Sequence, residues 1–238
     1  MTISAKPYLR EISIRDDAAI DLDAYPFTIP AVREMGVLAL HADVTFFVGE
    51  NGAGKSTVLE AIAVAMELPS EGGRKDFTRR GQPVSALENC LRLVKSFRKP
   101  SASYFLRAES LFNVFTYLQD VGSNAPDLHL RSHGEAFMEV MLDFRPRGLY
   151  LLDEPEAALS PNRQLAALSA IHQLVKQECQ FIIATHSPIL LSYPGAKILQ
   201  FDGSGITEVA YEDTEHFAVT RDFLNHYQRR LHQLLDDE

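Results

Sequence analysis

Nine consecutive residues match the phosphate-loop pattern G-x-x-x-x-G-K-[ST] at every fixed position: Gly49-Glu50-Asn51-Gly52-Ala53-Gly54-Lys55-Ser56-Thr57. The β-branched and aromatic run at 44–48 predicts a buried strand before them, and the apolar run at 58–66 predicts a helix after them, ended by Pro69. Strand, glycine loop and helix form the context in which this pattern binds phosphate, because the backbone N–H groups turn inward and the helix N-terminus adds positive partial charge. A glycine-rich turn with an incidental lysine does not account for this context.

Two residues of the loop have expected roles toward a nucleotide. Lys55 is placed to reach the β- and γ-phosphates, and Ser56 is placed to hold Mg²⁺ through its hydroxyl group. The loop therefore predicts a site for a nucleoside triphosphate and its metal ion.

The composition is that of a globular protein. The chain has 238 residues, of which 46% are hydrophobic and 23% charged, which suits one sizeable α/β domain or one domain with a small subdomain. The net charge of -9 argues against attraction of the whole protein to nucleic acid, although a local basic groove stays open. Basic residues do cluster after the loop, and a solvated surface is the favoured explanation over a DNA- or partner-binding patch: they are Arg74, Lys75, Arg79, Arg80, Arg92, Lys95, Arg98 and Lys99.

The cysteines and the apolar runs indicate the cellular compartment in which we expect the protein. Cys90 and Cys179 are far apart and lack metal-ligand spacing, which favours a reducing compartment. No apolar run approaches the length of a membrane span, and no secretory signal is visible. We expect a cytoplasmic protein that does not itself insert into a membrane.

Two later strands each deliver polar residues to one edge of a predicted sheet. The apolar run at 149–152 ends in Asp153 and Glu154, at the edge where parallel sheets bind ligands. Asp153 is then placed to hold Mg²⁺, and Glu154 to activate the attacking water as general base. The buried strand at 181–184 brings His186 to the same edge, where a neutral imidazole could hydrogen-bond the γ-phosphate or the water, although a lone histidine is more often structural.

Further elements complete an α/β pattern. Residues 8–15 and 206–211 predict edge strands, and the segments 91–97 and 103–106 predict two short strands lying near each other as a hairpin. Helices are predicted at 111–118, 135–144, 161–176 and from Glu215 onward. Continuous apolar strands separated by helices predict a mainly parallel central sheet flanked by helices, with an antiparallel β edge.

These motifs together resemble the ATP-binding-cassette (ABC) ATPases over residues 45–201. Gly49–Thr57 resembles the Walker A loop, Leu149–Glu154 the Walker B strand, Glu156–Ser160 the D-loop and Thr185–Ser187 the switch-histidine motif. The resemblance implies a P-loop NTPase of ABC type that binds ATP and hydrolyses it with Mg²⁺. It also implies that Lys55, Glu154 and His186 are the catalytic residues.

The family's signature motif, usually LSGGQ, has an imperfect counterpart at 130–135. Ser132 and Gly134 match it, whereas His133 and Glu135 replace the usual glycine and glutamine. In the family this motif contacts the γ-phosphate bound to the opposite subunit, so the resemblance implies that these four residues act in trans. A plain N-capped helix is the alternative.

Two other family positions have candidates here. Glu109 stands where the Q-loop glutamine is expected, and a carboxylate could still reach the metal; Gln82 is a poorer candidate, because it lies in a glycine-proline loop. The aromatic residue that stacks on adenine could be Tyr25 or Phe27, although core packing explains both equally well.

The lengths of the segments between the motifs limit which group of ABC ATPases the chain can resemble. Lys55 and Ser132 are too close in sequence for a long coiled-coil arm, and the segment from Glu109 to Ser132 leaves room only for a reduced helical subdomain. The chain therefore resembles stand-alone ATPases of the SMC/RecF-like group, with residues 1–238 as one ATPase domain and 70–135 as its variable region. The resemblance implies a homodimer that holds ATP between its two subunits and acts on an unknown protein partner. The alternatives are the energising subunit of a transporter and a nucleic-acid-linked ATPase of repair or defence.

Overall fold

The computed structural model describes residues 6–70, 72–74, 86–109 and 133–235. The strands in these ranges are β1 (Leu9–Ile14), β2 (Leu38–Ala39), β3 (Val44–Gly49), β4 (Gly73–Arg74), β5 (Leu91–Lys95), β6 (Ser103–Arg107), β7 (Leu149–Asp153), β8 (Gln180–Ala184), β9 (Lys197–Asp202) and β10 (Gly205–Val209). The α-helices are α1 (Pro30–Arg33), α2 (Lys55–Ala65), α3 (Leu87–Cys90), α4 (His133–Leu142), α5 (Pro161–Lys176), α6 (Pro188–Leu191) and α7 (Glu215–Leu235).

A seven-stranded sheet is the centre of the described structure, with the strand order β10-β9-β3-β8-β7-β6-β4. The five inner strands are parallel to one another, and β10 and β4 run antiparallel at the two edges. Every residue of β3, β7 and β8 is buried, as expected for strands covered on both faces. The predicted mainly parallel α/β sheet with an antiparallel edge is confirmed.

A second, three-stranded antiparallel sheet has the order β2-β1-β5, and it corrects two predictions. The strand predicted at 8–15 is the central strand of this sheet rather than an edge strand. The strands predicted at 91–97 and 103–106 exist, but the hairpin is wrong, because β5 pairs with β1 and β6 pairs with β7 and β4. Strand 206–211 does lie at an edge, as predicted.

The central sheet separates two hydrophobic clusters. Alternate strand residues such as Phe47 and Ile182 face a cluster that α2 and the small sheet complete. Their neighbours Phe46 and Ile183 face a second cluster that includes residues of α4, α5 and α6. Because neighbouring strand residues point to opposite faces, this double cover explains the continuous apolar runs in the sequence.

The helices follow the predicted positions where the structure describes them. α5 begins at Pro161 and ends at Lys176 as predicted, although the side chain of Ser160 makes no capping hydrogen bond. The helix predicted at 111–118 lies outside the described residues. α7 has no buried residue, and most of its large apolar side chains, Phe223 and Leu231 among them, are exposed. No described helix is long and apolar enough to span a membrane.

The first loop glycine is required by its close contact with β9. Gly49 has φ +144°, and a Cβ atom there would lie 2.2 Å from the carbonyl oxygen of Phe201. We therefore expect Gly49→Ala to lower the free energy of unfolding by about 1–3 kcal/mol, the usual range for overpacking, in urea denaturation. Gly36→Ala is the control, because no atom lies within 4 Å of its added Cβ; equal stability losses in the two variants would contradict the argument.

Candidate nucleotide site

Three parallel strands bring the predicted site residues to one edge of the sheet. The strand pairing places Phe47 of β3 and Asp153 of β7 on either side of Ala184 of β8. The glycine loop begins at the last residue of β3, the two acids lie at and just after the end of β7, and His186 lies two residues beyond β8. The carboxyl edge of the sheet therefore gathers the candidate ligands, as it does in other parallel α/β proteins.

Lys55 lies inside the glycine loop. Its side chain is 4% exposed, and its Nζ donates to the carbonyl oxygens of Gly49, at 2.8 Å, and Glu50, at 2.9 Å. Burial lowers the pKa of Lys55, while the negative charges of Glu154 and Asp153 oppose that shift. The ammonium group is thus held at the loop, where it can reach a bound phosphate.

Ser56 and Asp153 form the candidate metal site. The Ser56 hydroxyl donates to Asp153 Oδ1 at 2.9 Å, so two oxygen atoms of the kind that Mg²⁺ prefers lie together at the first turn of α2. Burial raises the pKa of Asp153, and the charge of Glu109 adds a smaller upward contribution. Glu109 is exposed, and its role toward the metal stays a prediction. These residues fit a magnesium ion.

Arg107 is a site residue that the sequence reasoning missed. Its Nε donates to Asp153 Oδ2 at 3.0 Å, and its Nη1 donates to Glu60 Oε2 at 3.0 Å. The only sequence signal was its place at the end of a strand; the pairing of Arg107 with Asp153 across β6 and β7 depends on the strand order. One guanidinium group therefore forms ion pairs with two carboxylates, Asp153 and Glu60.

Glu154 has a strained backbone and an elevated pKa. Its φ of +48° and ψ of +51° lie in the left-handed region, which is uncommon for a residue with a side chain. Burial raises its pKa, and the charge of Asp153 adds to this, while Lys55 lowers it. The carboxylate is 35% exposed, and its Oε1 lies 3.7 Å from His186 Nε2. A basic, accessible carboxylate at this edge suits a general base.

Glu156 fixes the segment that carries His186, and it was also missed as a site residue. One carboxylate oxygen accepts a hydrogen bond from Thr185 Oγ1 at 2.7 Å, and the other accepts from the backbone N–H of His186. Its place in the D-loop-like segment was recognised, but nothing in the sequence spacing linked it to residue 186. The D-loop-like segment and the switch-histidine segment are therefore bonded to each other.

The imidazole of His186 contacts a second histidine. His186 Nδ1 lies 2.9 Å from His216 Nε2 at the first turn of α7. Burial, followed by the charge of Lys55, lowers the pKa of His186 to about 4 and also lowers that of His216. Both rings are therefore neutral at neutral pH. His216 also lines a cavity of about 340 Å³ beside the glycine loop, and no sequence motif pointed to it.

The described part of the signature-like segment packs against the D-loop-like segment. A Cβ atom at Gly134 would lie 2.8 Å from the carbonyl oxygen of Ala158, so the close approach favours glycine. Glu135 forms an ion pair with Arg163 of α5 at 3.1 Å, which compensates the charge that replaces the family's neutral glutamine. His133 is exposed. Ser132, like Gln82, lies outside the described residues and stays a prediction.

The two candidates for the residue that stacks on adenine differ in their exposure to solvent. Tyr25 is 60% exposed, and its hydroxyl lies 3.0 Å from Thr57 Oγ1 beside the glycine loop. Phe27 is 2% exposed and belongs to the hydrophobic core. Tyr25 is therefore the better placed of the two to stack on a base.

Two sequence comparisons with known proteins find matches. The model of the AAA domain family matches residues 33–102, which include the glycine loop. The chain is 28% identical over 228 residues to the energy-coupling factor transporter ATP-binding protein EcfA2 of Methanospirillum hungatei JF-1. This match covers 81% of the chain and 55% of the relative, so the chain spans about half the length of that curated protein.

Solved structures of two groups resemble the fold. The SMC head domain from Thermotoga maritima aligns with a TM-score of 0.47 and 16% identity, over 85% of this chain and 99% of that one. The cbiO1 protein of Clostridium perfringens, part of the ABC transporter complex cbiONQ, aligns with a TM-score of 0.46 and 16% identity, over 82% and 89% of the two chains.

The glycine loop between its strand and helix, with the acids at the end of β7, defines a P-loop fold, and the AAA domain match covers that loop. The resemblance to ABC-type ATPases that the motifs indicate is consistent with these two sequence matches.

Proposed function

We propose that the protein binds ATP and hydrolyses it with Mg²⁺. One observation carries the proposal: Lys55, the Ser56–Asp153 pair, Glu154 and His186 converge on one sheet edge. A phosphate cradle, a metal site and a base within reach of one another are the parts that phosphoryl transfer to water requires.

Each residue has a role that its surroundings support. The loop amides and Lys55 would bind the phosphates, and Ser56, Asp153 and Glu109 would hold the magnesium ion, which neutralises charge on the phosphates when bound. Glu154 would accept a proton from the attacking water, and its raised pKa makes its carboxylate a stronger base. His186, a neutral ring, would donate a hydrogen bond to the γ-phosphate.

We also propose that two copies of the chain complete the site. In this arrangement Ser132, His133, Gly134 and Glu135 of one copy would face the phosphates bound by the other. The Glu135–Arg163 ion pair supports this, because it offsets the negative charge that would otherwise approach a phosphate. The γ-phosphate would then be the contact present only before hydrolysis, so that cleavage releases the dimer.

Phosphate release from ATP by the purified protein, with and without Mg²⁺, tests the proposed activity. We expect turnover that requires Mg²⁺ and is lost in Lys55→Ala, because the loop then lacks the cation that contacts the β- and γ-phosphates. Lys176→Ala is the matched control, since Lys176 is exposed at the end of α5. Magnesium-independent turnover, or equal rates in the two variants, would refute the proposal.

The work that hydrolysis drives is a separate proposal. We favour a stand-alone switch of the SMC/RecF-like group, one domain over 1–238 in the cytoplasm, acting on a protein partner. The EcfA2 match favours the alternative of a transporter's ATP-binding subunit. Exposed basic residues around the exposed Phe97 favour a nucleic-acid-linked role: they are Arg92, Lys95, Arg98 and Lys99. Copurification with a membrane protein, or salt-dependent DNA binding, would separate these alternatives.

A further inference from the structure

The contact between His186 and His216 leaves one nitrogen of His186 directed at the catalytic edge. His186 Nδ1 forms a hydrogen bond with His216 Nε2 at 2.9 Å. His186 Nε2 is buried and has no hydrogen-bond partner within the described ranges, and it lies 3.7 Å from Glu154 Oε1. A buried polar atom without a partner calls for an explanation, and a ligand at this edge would supply the missing partner.

Two neutral imidazoles in hydrogen-bond contact have two arrangements. If His186 donates through Nδ1, its Nε2 is a bare acceptor that faces the carboxylate oxygen of Glu154 across 3.7 Å, which is repulsive. If His216 donates through Nε2, the proton of His186 resides on Nε2 and faces that carboxylate, which is attractive. The charge of Glu154 therefore favours the second arrangement.

The position of His216 is held by hydrogen bonds at the start of α7 rather than by the exposed remainder of that helix. Thr214, fully buried, accepts a hydrogen bond from the backbone N–H of Phe217 at 3.3 Å. The Tyr211 hydroxyl donates to the carbonyl oxygen of Pro188 at 2.8 Å, two residues beyond His186. These hydrogen bonds join the segment that carries His186 to the segment that carries His216.

We propose that His216 is a positioning residue for His186. Its Nε2–H donates to His186 Nδ1 and so holds the ring of His186 in the tautomer that carries its proton on Nε2. In this tautomer His186 donates a hydrogen bond to an anion at the sheet edge, and in the other tautomer it does not. The role toward the γ-phosphate rests on the proposed ATPase function, whereas the tautomer itself does not.

The tautomer can be measured in the whole protein by ¹⁵N NMR of the histidine rings, with His186→Gln and His216→Gln used to assign the signals among the eight histidines. We expect wild-type His186 to be protonated on Nε2. His216→Ala should raise the fraction of the Nδ1–H tautomer, because only the charge of Glu154 then favours the proton on Nε2, whereas His216→Gln should keep the wild-type fraction, because its side-chain amide can still donate. His226→Ala is the matched control on α7, since His226 is exposed and contacts Asp222.

Kinetics supply the second readout. His216→Ala should lower kcat for ATP about tenfold with KM unchanged, as expected when a hydrogen bond that acts mainly in the transition state is lost. His216→Gln should recover most of the rate. A wild-type proton on His186 Nδ1, or a tautomer unchanged in His216→Ala, would overturn the proposal. Absence of turnover in the wild type would instead refute the ATPase function and leave the tautomer assignment standing.

Discussion

Glu154→Gln should slow ATP hydrolysis by about 10²- to 10⁴-fold, the usual contribution of a general base. Glutamine matches glutamate in shape but cannot accept the proton of the attacking water. The raised pKa of Glu154, which burial and the charge of Asp153 produce, makes its carboxylate a stronger base than an ordinary glutamate. Phosphate release at saturating ATP and Mg²⁺ measures the effect.

The same variant should trap the ATP-bound dimer, because it binds ATP without cleaving it. Molar mass from light scattering, at micromolar protein with and without ATP, should double on ATP addition. Glu11→Gln is the matched control, since Glu11 is exposed and lies on β1 of the small sheet, outside the central sheet that carries the site; it should hydrolyse ATP at the wild-type rate. Normal turnover by Glu154→Gln would contradict its role as base, and a monomer in ATP would contradict the dimer.

The sequence predicted the parts of the site that local chemistry determines. The glycine loop, the acids after β7 and His186 each follow a buried strand, and strand ends in a parallel sheet meet at one edge. Apolar runs and turn residues therefore sufficed to predict both the elements and the edge where they converge.

Partners brought together by the fold could not be predicted in the same way. Local sequence pattern predicted a strand at β1 and at β5, but it does not specify the neighbouring strand, so the pairing of these two strands was missed. Arg107, Glu156 and His216 are ordinary polar residues in sequence, and they become site residues only because strand order and helix packing place them beside Asp153 and His186.

Arg107→Met should destabilise the fold by about 3–5 kcal/mol, the range for removing one member of a buried ion pair. Arg107 bonds both Asp153, which is 3% exposed, and Glu60, whose second carboxylate oxygen is buried without a partner in the described structure. Without the guanidinium group, two carboxylates face each other across a desolvated space. Methionine keeps most of the side-chain volume, so that the loss reports charge rather than a cavity.

Arg163→Met provides the comparison, because its ion pair with Glu135 is half exposed and exposed pairs contribute about 0–1 kcal/mol. Urea denaturation of both variants measures the difference, which should also depend on pH. Burial already raises the pKa values of Asp153 and Glu60, and Arg107 opposes both shifts; its loss should raise these pKa values further. The folded variant then binds more protons than the unfolded chain above the unfolded carboxyl pKa values, so its stability should fall as pH rises through that window. A loss equal to that of Arg163→Met, or one independent of pH, would show that Arg107 does not compensate these acids.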